Sequence, residues 1–106
     1  MTNIETINEI DRRLRASLQP VQISLIDDSA MHAGHAGAAS GGGHFQMRIV
    51  SALFAGLSRV ARHRLVYNLL SDLMQGAIHA LAIEALTPDE APDVAAAPSP
   101  ATGTLH

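Results

Sequence analysis

The chain of 106 residues contains no cysteine, no tryptophan and no lysine, and its only aromatic side chains are one tyrosine and two phenylalanines. Without cysteine it forms no disulfide and supplies no thiolate to a metal or to nucleophilic catalysis. A formal net charge of −3 gives no overall attraction to nucleic acid. No apolar run approaches the ~20 residues of a membrane helix, and the start of the chain lacks the pattern of a secretory signal. These absences predict a cytoplasmic protein with an aliphatic core and no membrane association.

Hydrophobic periodicity predicts the order helix, strand, strand, helix, strand, short helix. Apolar residues at three- and four-residue steps from Ile4 to Leu18 indicate a first helix, which Pro20 ends. Alternation indicates strands over 21–25 and 45–49, joined by a glycine-rich loop over 30–43. Ser58 is placed to cap a second helix, 78–86 is assigned to a third strand, and Pro88 begins a last short helix.

This order predicts an α+β fold, a two-layer αββαβα sandwich with a three-stranded sheet. The first two strands form an antiparallel hairpin, and the helical crossover lets the second and third strands pair in parallel. Residues 1–90 are expected to form the domain, and the Pro- and Ala-rich residues 91–106 to form a disordered tail. The core is expected to contain these aliphatic and aromatic residues: Ile7, Leu14, Val21, Ile23, Phe45, Met47, Val66, Leu70, Leu81 and Ile83.

Histidine is the chemically informative residue, because imidazole is the commonest metal ligand in proteins. His32 and His35 lie in the glycine-rich loop, His44 lies at its base, and His79 opens the third strand. Judged from the residues alone, His79 is more simply a core histidine bonded to backbone, since it alternates with inward positions. Two loop histidines do not define a metal site either, and His44 is expected to be structural. For these histidines, metal binding and a purely structural role therefore both stay open at this point.

Six short segments resemble the BolA family in sequence, in order and in spacing: DSAMHAGH at 28–35, GHF at 43–45, FAGLS at 54–58, RHRLVY at 62–67, IHAL at 78–81 and TPDE at 87–90. The resemblance implies a fold like class II KH domains. It also implies an adaptor that binds a monothiol glutaredoxin and shares a [2Fe–2S] cluster with glutaredoxin and glutathione, for cluster trafficking or for sensing iron or stress. His79 would then be one metal ligand, and His32 or His35 the other. The chain would be a monomer alone and a heterodimer with its partner.

The cationic residues Arg59, Arg62, His63 and Arg64 cluster at the start of the second helix, where the helix dipole disfavours positive charge. Their positions indicate a first turn that overhangs the sheet and presents a basic surface. This surface is either a solvated cluster paired with Asp27 or Asp28, or a site for an anionic partner. The second alternative gives a rival function, a DNA-binding transcriptional regulator that uses the Arg59–Arg64 helix. No cysteine nucleophile, Walker motif or dinucleotide fingerprint is present, and Ser58 is interpreted as a helix cap rather than a nucleophile paired with His63, so no enzymatic activity is predicted.

Overall fold

Two α-helices and a three-stranded mixed sheet make up the structure, a computed structural model that describes residues 1–29 and 42–93. The elements are α1 (Asn3–Leu18), β1 (Gln22–Asp27), β2 (Gly43–Val50), α2 (Arg59–Leu69) and β3 (Ile78–Leu86). Single 3₁₀ turns lie at Ala52–Phe54, Leu73–Gln75 and Pro88–Glu90. The predicted α+β class and three-stranded sheet are confirmed. The predicted tail lies outside the described residues from position 94 onward.

Helix α1 begins at a capping box and ends before Pro20. The hydroxyl of Thr2 accepts a hydrogen bond from the Glu5 N–H at 3.1 Å, and the Glu5 carboxylate accepts one from the Thr2 N–H at 2.8 Å. The helix stops at Gln19, which takes a left-handed φ of 45°. Its buried row has a four-residue spacing and consists of Thr6, Ile10, Leu14 and Leu18. Ile4 was expected on the apolar stripe but is 72% exposed, because it lies off this row.

Strand β2 is the centre of the sheet, with strand order β1-β2-β3. It pairs antiparallel with β1 and parallel with β3, as the sequence predicts. The parallel connection runs through α2, which packs with α1 on one face of the sheet. The opposite face of the sheet carries the outward side chains of all three strands.

The core lies between the helices and the inward face of the sheet. Six of the residues predicted for it are buried: Leu14, Phe45, Met47, Val66, Leu70 and Leu81. Ile7, Ile23 and Ile83 are partly buried and pack against them. Val21 was expected in the core but is 60% exposed, because β1 begins only at Gln22 and the inward alternation does not extend back to Val21.

Two valines at opposite extremes of burial test this packing. Val66 is fully buried, so Val66→Ala is expected to lower the free energy of unfolding by about 1–4 kcal/mol through lost burial and a residual cavity. Val21→Ala removes the same atoms from an exposed position and should stay within about 0.5 kcal/mol of the parent. Urea unfolding followed by circular dichroism measures both, and equal losses would contradict the described core.

Candidate functional site

His79 occupies a β-bulge at the start of β3. Gly43 pairs with Ile78, but the next residue of β2, His44, pairs with Ala80, so His79 is an extra residue on the β3 side. The extra residue shifts the alternation by one position. Ile78 and Leu81 are therefore buried, while His79 is exposed. The interpretation of His79 as a core histidine is wrong, since it assumed an unbroken alternation with Leu81 and Ile83.

A second imidazole lies beside His79. Because β2 and β3 are parallel, their first residues meet at one edge of the sheet, and the ring centroids of His44 and His79 are 4.9 Å apart. The His44 backbone is fastened to the end of β1. Its N–H donates to the Ser29 hydroxyl at 2.9 Å, and its carbonyl accepts from the Asp28 N–H at 2.9 Å. His44 thus has the structural position expected for it, and its ring also adds a nitrogen donor near His79.

The segment 30–41, which contains His32 and His35, is attached at this same edge on both sides. Ser29 precedes it and holds His44. Gly42 follows it and lies against His79: a Cβ at Gly42 would be 3.0 Å from the His79 Cβ and 2.9 Å from the Gly76 carbonyl oxygen. His32 and His35 themselves lie outside the described residues. Within residues 1–29 and 42–93, no three histidine, aspartate or glutamate side chains come together as a metal site.

Gly42 and Gly56 form a matched pair for testing the contact with the bulge. Both have a φ of +82°, but nothing lies within 4 Å of a Cβ placed at Gly56. Gly56→Ala should therefore cost only about 1–2 kcal/mol for a left-handed backbone. Gly42→Ala should cost at least about 1 kcal/mol more, because the new Cβ must displace Gly76 or His79. Urea unfolding of both variants measures the difference, and equal losses would mean that Gly42 does not pack against the bulge.

Helix α2 presents only part of the predicted basic surface. Ser58 caps the helix by accepting a hydrogen bond from the Ala61 N–H at 3.1 Å. Arg59 and Arg64 are exposed, and His63 is half-buried. Arg62, in contrast, has a side chain that is only 7% exposed. The prediction that Arg62 belongs to an exposed basic surface is wrong, because its side chain points into the fold.

Arg62 joins three segments of the chain. Its Nε donates to the Leu57 carbonyl and its Nη1 to the Ala85 carbonyl, both at 3.0 Å. The two Nη atoms also bond the Glu90 carboxylate, at 2.5 and 3.3 Å. The guanidinium carbon lies 6.0 Å from the Phe54 ring centroid. Arg62 therefore ties the turn before α2 to the end of β3 and to the last 3₁₀ turn.

The aspartates expected beside the arginine cluster have other partners. Asp27 accepts hydrogen bonds from the Asn3 amide at 3.2 Å and from the Ser29 N–H at 2.9 Å. Asp28 accepts one from the Gln46 amide at 2.8 Å. Ala85, which Arg62 contacts, lies six residues along β3 from His79, or about 20 Å at the rise of a strand. The histidine edge and the start of α2 are thus two separate candidate sites.

The pKa of Glu90 is lowered from 4.5 to about 2, first by the hydrogen bonds from Arg62 and then by the Thr87 N–H. A lowered folded-state pKa contributes stability above the unfolded value and loses it as the pH falls through the folded value. Glu90→Gln should therefore be clearly less stable than the parent at neutral pH. The difference should shrink between pH 4.5 and about 2, where the parent carboxylate is itself protonated. Thermal melts at a series of pH values measure it.

The control for this experiment is Asp89→Asn, which removes an exposed charge from the same 3₁₀ turn without touching Arg62. Its melting temperature should stay close to that of the parent at every pH. The folded-state pKa of Glu90 is about 2, so most of the contribution of the ion pair should be lost at pH 2.5. If Glu90→Gln lowered the melting temperature equally at pH 2.5 and at neutral pH, the ion pair would not be the cause.

A family profile described as BolA-like protein matches residues 14–90, which include α2, β3 and the bulge. The chain belongs to the BolA family. The BolA-like fold is also found in the solved BolA domain of SufE1 from Arabidopsis thaliana, which is 45% identical, has a TM-score of 0.69, and is matched over 78% of this chain and 92% of that chain. The BolA fold match agrees with the two helices and mixed sheet described above.

Curated relatives carry the BolA-like region in proteins of different length. DNA-binding transcriptional regulator BolA of Vibrio cholerae is 43% identical over 81 residues, covering 76% of this chain and 74% of the relative. SufE-like protein 1, chloroplastic/mitochondrial, of Arabidopsis thaliana is 45% identical over 86 residues, covering 76% of this chain but 23% of the relative. This chain therefore spans less than a quarter of that relative's length. Cytoplasmic localisation stays a prediction, as does the absence of enzymatic activity.

In the part of the chain that the structure describes, no helix is both long and apolar enough to cross a membrane.

Proposed function

We propose that this BolA-family chain is an adaptor that binds a monothiol glutaredoxin and co-ligates a [2Fe–2S] cluster with it. His79 supplies one ligand, and His32 or His35 supplies a second. The observation that supports this most is the bulge, which turns His79 outward at the edge where both ends of segment 30–41 are attached. A segment fixed beside His79 at Ser29 and Gly42 can bring an imidazole to the same iron.

The donor set of the chain agrees with a cluster that is shared rather than held alone. The chain has no cysteine, so the thiolates of a [2Fe–2S] cluster must come from elsewhere. In the family resemblance they come from the glutaredoxin and glutathione. Histidine ligands on one iron raise the potential of such a cluster. His44 lies close enough to His79 that its own contribution has to be tested separately.

His79→Ala is expected to preserve the fold but abolish the mixed histidine–thiolate cluster with a monothiol glutaredoxin. The position in the bulge fixes where the side chain points, so no neighbour on β3 can replace it. Single replacements of His32 or His35 should weaken the cluster only partly. The two histidines are three residues apart in the sequence, so either is expected to substitute for the other. Together they should match the loss at His79. Anaerobic co-purification followed by visible absorption and circular dichroism measures the cluster.

His63→Ala serves as the matched control, since it removes an imidazole from α2 rather than from the histidine edge. It should leave the cluster spectrum unchanged. His44→Ala removes the ring but keeps the backbone contacts with Ser29 and Asp28. A change in the cluster spectrum of this variant would therefore report on the ring as a ligand and not on the backbone contacts. An unchanged cluster spectrum in His79→Ala would overturn the ligand assignment.

A DNA-binding regulator is the second candidate function. It is supported by the similarity to DNA-binding transcriptional regulator BolA of Vibrio cholerae and by the exposure of Arg59 and Arg64 on α2. The same set of proteins distinguishes the two functions. In the DNA-binding case, replacing Arg59 and Arg64 by glutamine weakens salt-dependent duplex binding while the cluster spectrum persists. His79→Ala should do the reverse: it should abolish the cluster spectrum and leave duplex binding unchanged.

A further inference from the structure

After β3 the chain crosses onto the face of the sheet opposite the helices. Val50 and Leu86, which pair at the ends of β2 and β3, form with Ala91 a buried cluster of their own, separate from the core. Ala91 is fully buried there, so the chain beyond the last 3₁₀ turn packs on this outward face. Two residues further on, the Asp93 carboxylate lies 3.2 Å from Nη2 of Arg48, which is two residues back along β2. The described chain therefore ends on the outward face, having advanced toward the start of the strands.

A groove of about 230 Å³ begins at this point. Arg48, which holds Asp93, is part of its lining, so the last described residue lies at the rim of the groove. Further in, Ile26 is 52% exposed and Ala82 is exposed, which leaves apolar surface that the described residues do not cover. The side chains along the groove come from all three strands: Ser24, Ile26, Gln46, Arg48, Ala82 and Glu84.

The groove suits an uncharged occupant with small side chains. Arg48 is the only cation among the described residues of the lining, and it already pairs with Glu84 at 3.3 Å as well as with Asp93. A charged occupant would therefore compete with existing ion pairs. Residues 94–97 are Val-Ala-Ala-Ala, and no aspartate, glutamate, lysine or arginine follows them in the chain. Covering the exposed apolar wall of the groove with such side chains removes apolar surface from water, which is favourable.

The attachment of residues 94–97 to the rim favours them over a separate molecule of similar affinity. Four residues span about 6 Å as a helix and about 13 Å when extended. The cross-strand row of Ile26, Gln46 and Ala82 lies one row beyond Arg48, about 7 Å along the sheet. The segment is therefore long enough to reach well into the groove. A segment joined directly to the rim has an effective concentration on the order of millimolar, which a second copy or a free partner must exceed.

We propose that residues 94–97 dock in this groove and cover the outward face of the sheet within the same chain. The buried contact of Ala91 starts this path, and the ion pair of Asp93 with Arg48 continues it to the rim. For these four residues the proposal departs from the disordered tail that the composition predicts. While they are docked, the groove is closed to other proteins, so the end of the chain acts as a built-in competitor for this surface.

Nuclear Overhauser contacts in the full chain, with ¹³C-labelled methyl groups of alanine, valine and isoleucine, test the proposal. Methyl groups of residues 94–97 should contact those of Ile26 and Ala82. Ala82→Leu fills the groove from β3 and should abolish the contacts to Ile26. Ser24→Leu fills it from β1 and should abolish the contacts to Ala82, so the result does not depend on one variant alone. Unchanged signals from the buried Val66 methyl groups show that each variant is folded.

Ala16→Leu is the matched control, because it adds the same side chain at an exposed position of α1, on the other side of the sheet. It should keep every contact of the parent. The proposal would be overturned if residues 94–97 made no contact with the groove in the parent, or if their contacts persisted in both groove-filling variants. Contacts between labelled and unlabelled chains would assign the groove to a second copy, and contacts from segment 30–41 in place of 94–97 would assign it to that segment. Either result would also overturn the proposal.

Discussion

Strand β2 pairs with β3 in parallel, and this pairing determines what lies at each end of the sheet. A parallel pair requires a crossover, which here is α2 and the turns that flank it. The starts of β2 and β3 therefore meet at one edge, where His44, His79 and both attachment points of segment 30–41 lie. The opposite ends meet where Arg62 contacts Ala85 and Glu90. One topological constraint thus separates the histidine edge from the basic helix by about the length of a strand.

The main elements could be predicted from the sequence because their signals are local. The Thr2 capping box, the stop before Pro20 and the Ser58 cap each involve residues within a few positions of one another. The bulge could not be predicted in this way. It lies where Gly42 packs against Gly76 and His79, and Gly42 is distant from both in the sequence and meets them only in the folded sheet. Simple alternation along β3 pointed His79 inward, and one extra residue in the register reversed that prediction.

The burial of Arg62 could have been predicted from its position in the sequence, although the same position was interpreted as part of an exposed basic surface. It lies four residues before Val66 and eight before Leu70, the C-cap of α2, so all three lie in one inward row. A charged residue in such a row is buried and requires a carboxylate partner. Glu90 has that role, because the 3₁₀ turn after β3 returns it to the start of α2. Asp27 could not, since β1 lies on the far side of β2.

The burial of Arg62 changes the balance between the two candidate functions. Only Arg59 and Arg64 remain as exposed arginines on α2, and the outward face of the sheet carries more carboxylates than cations. Two phosphate contacts give a salt dependence with a slope of only about −2, typical of weak and non-specific association. DNA binding by α2 therefore needs further contacts from a partner or a second chain. The proposed cluster at the histidine edge needs a partner as well, because a chain without cysteine cannot itself supply the thiolates that the proposal requires.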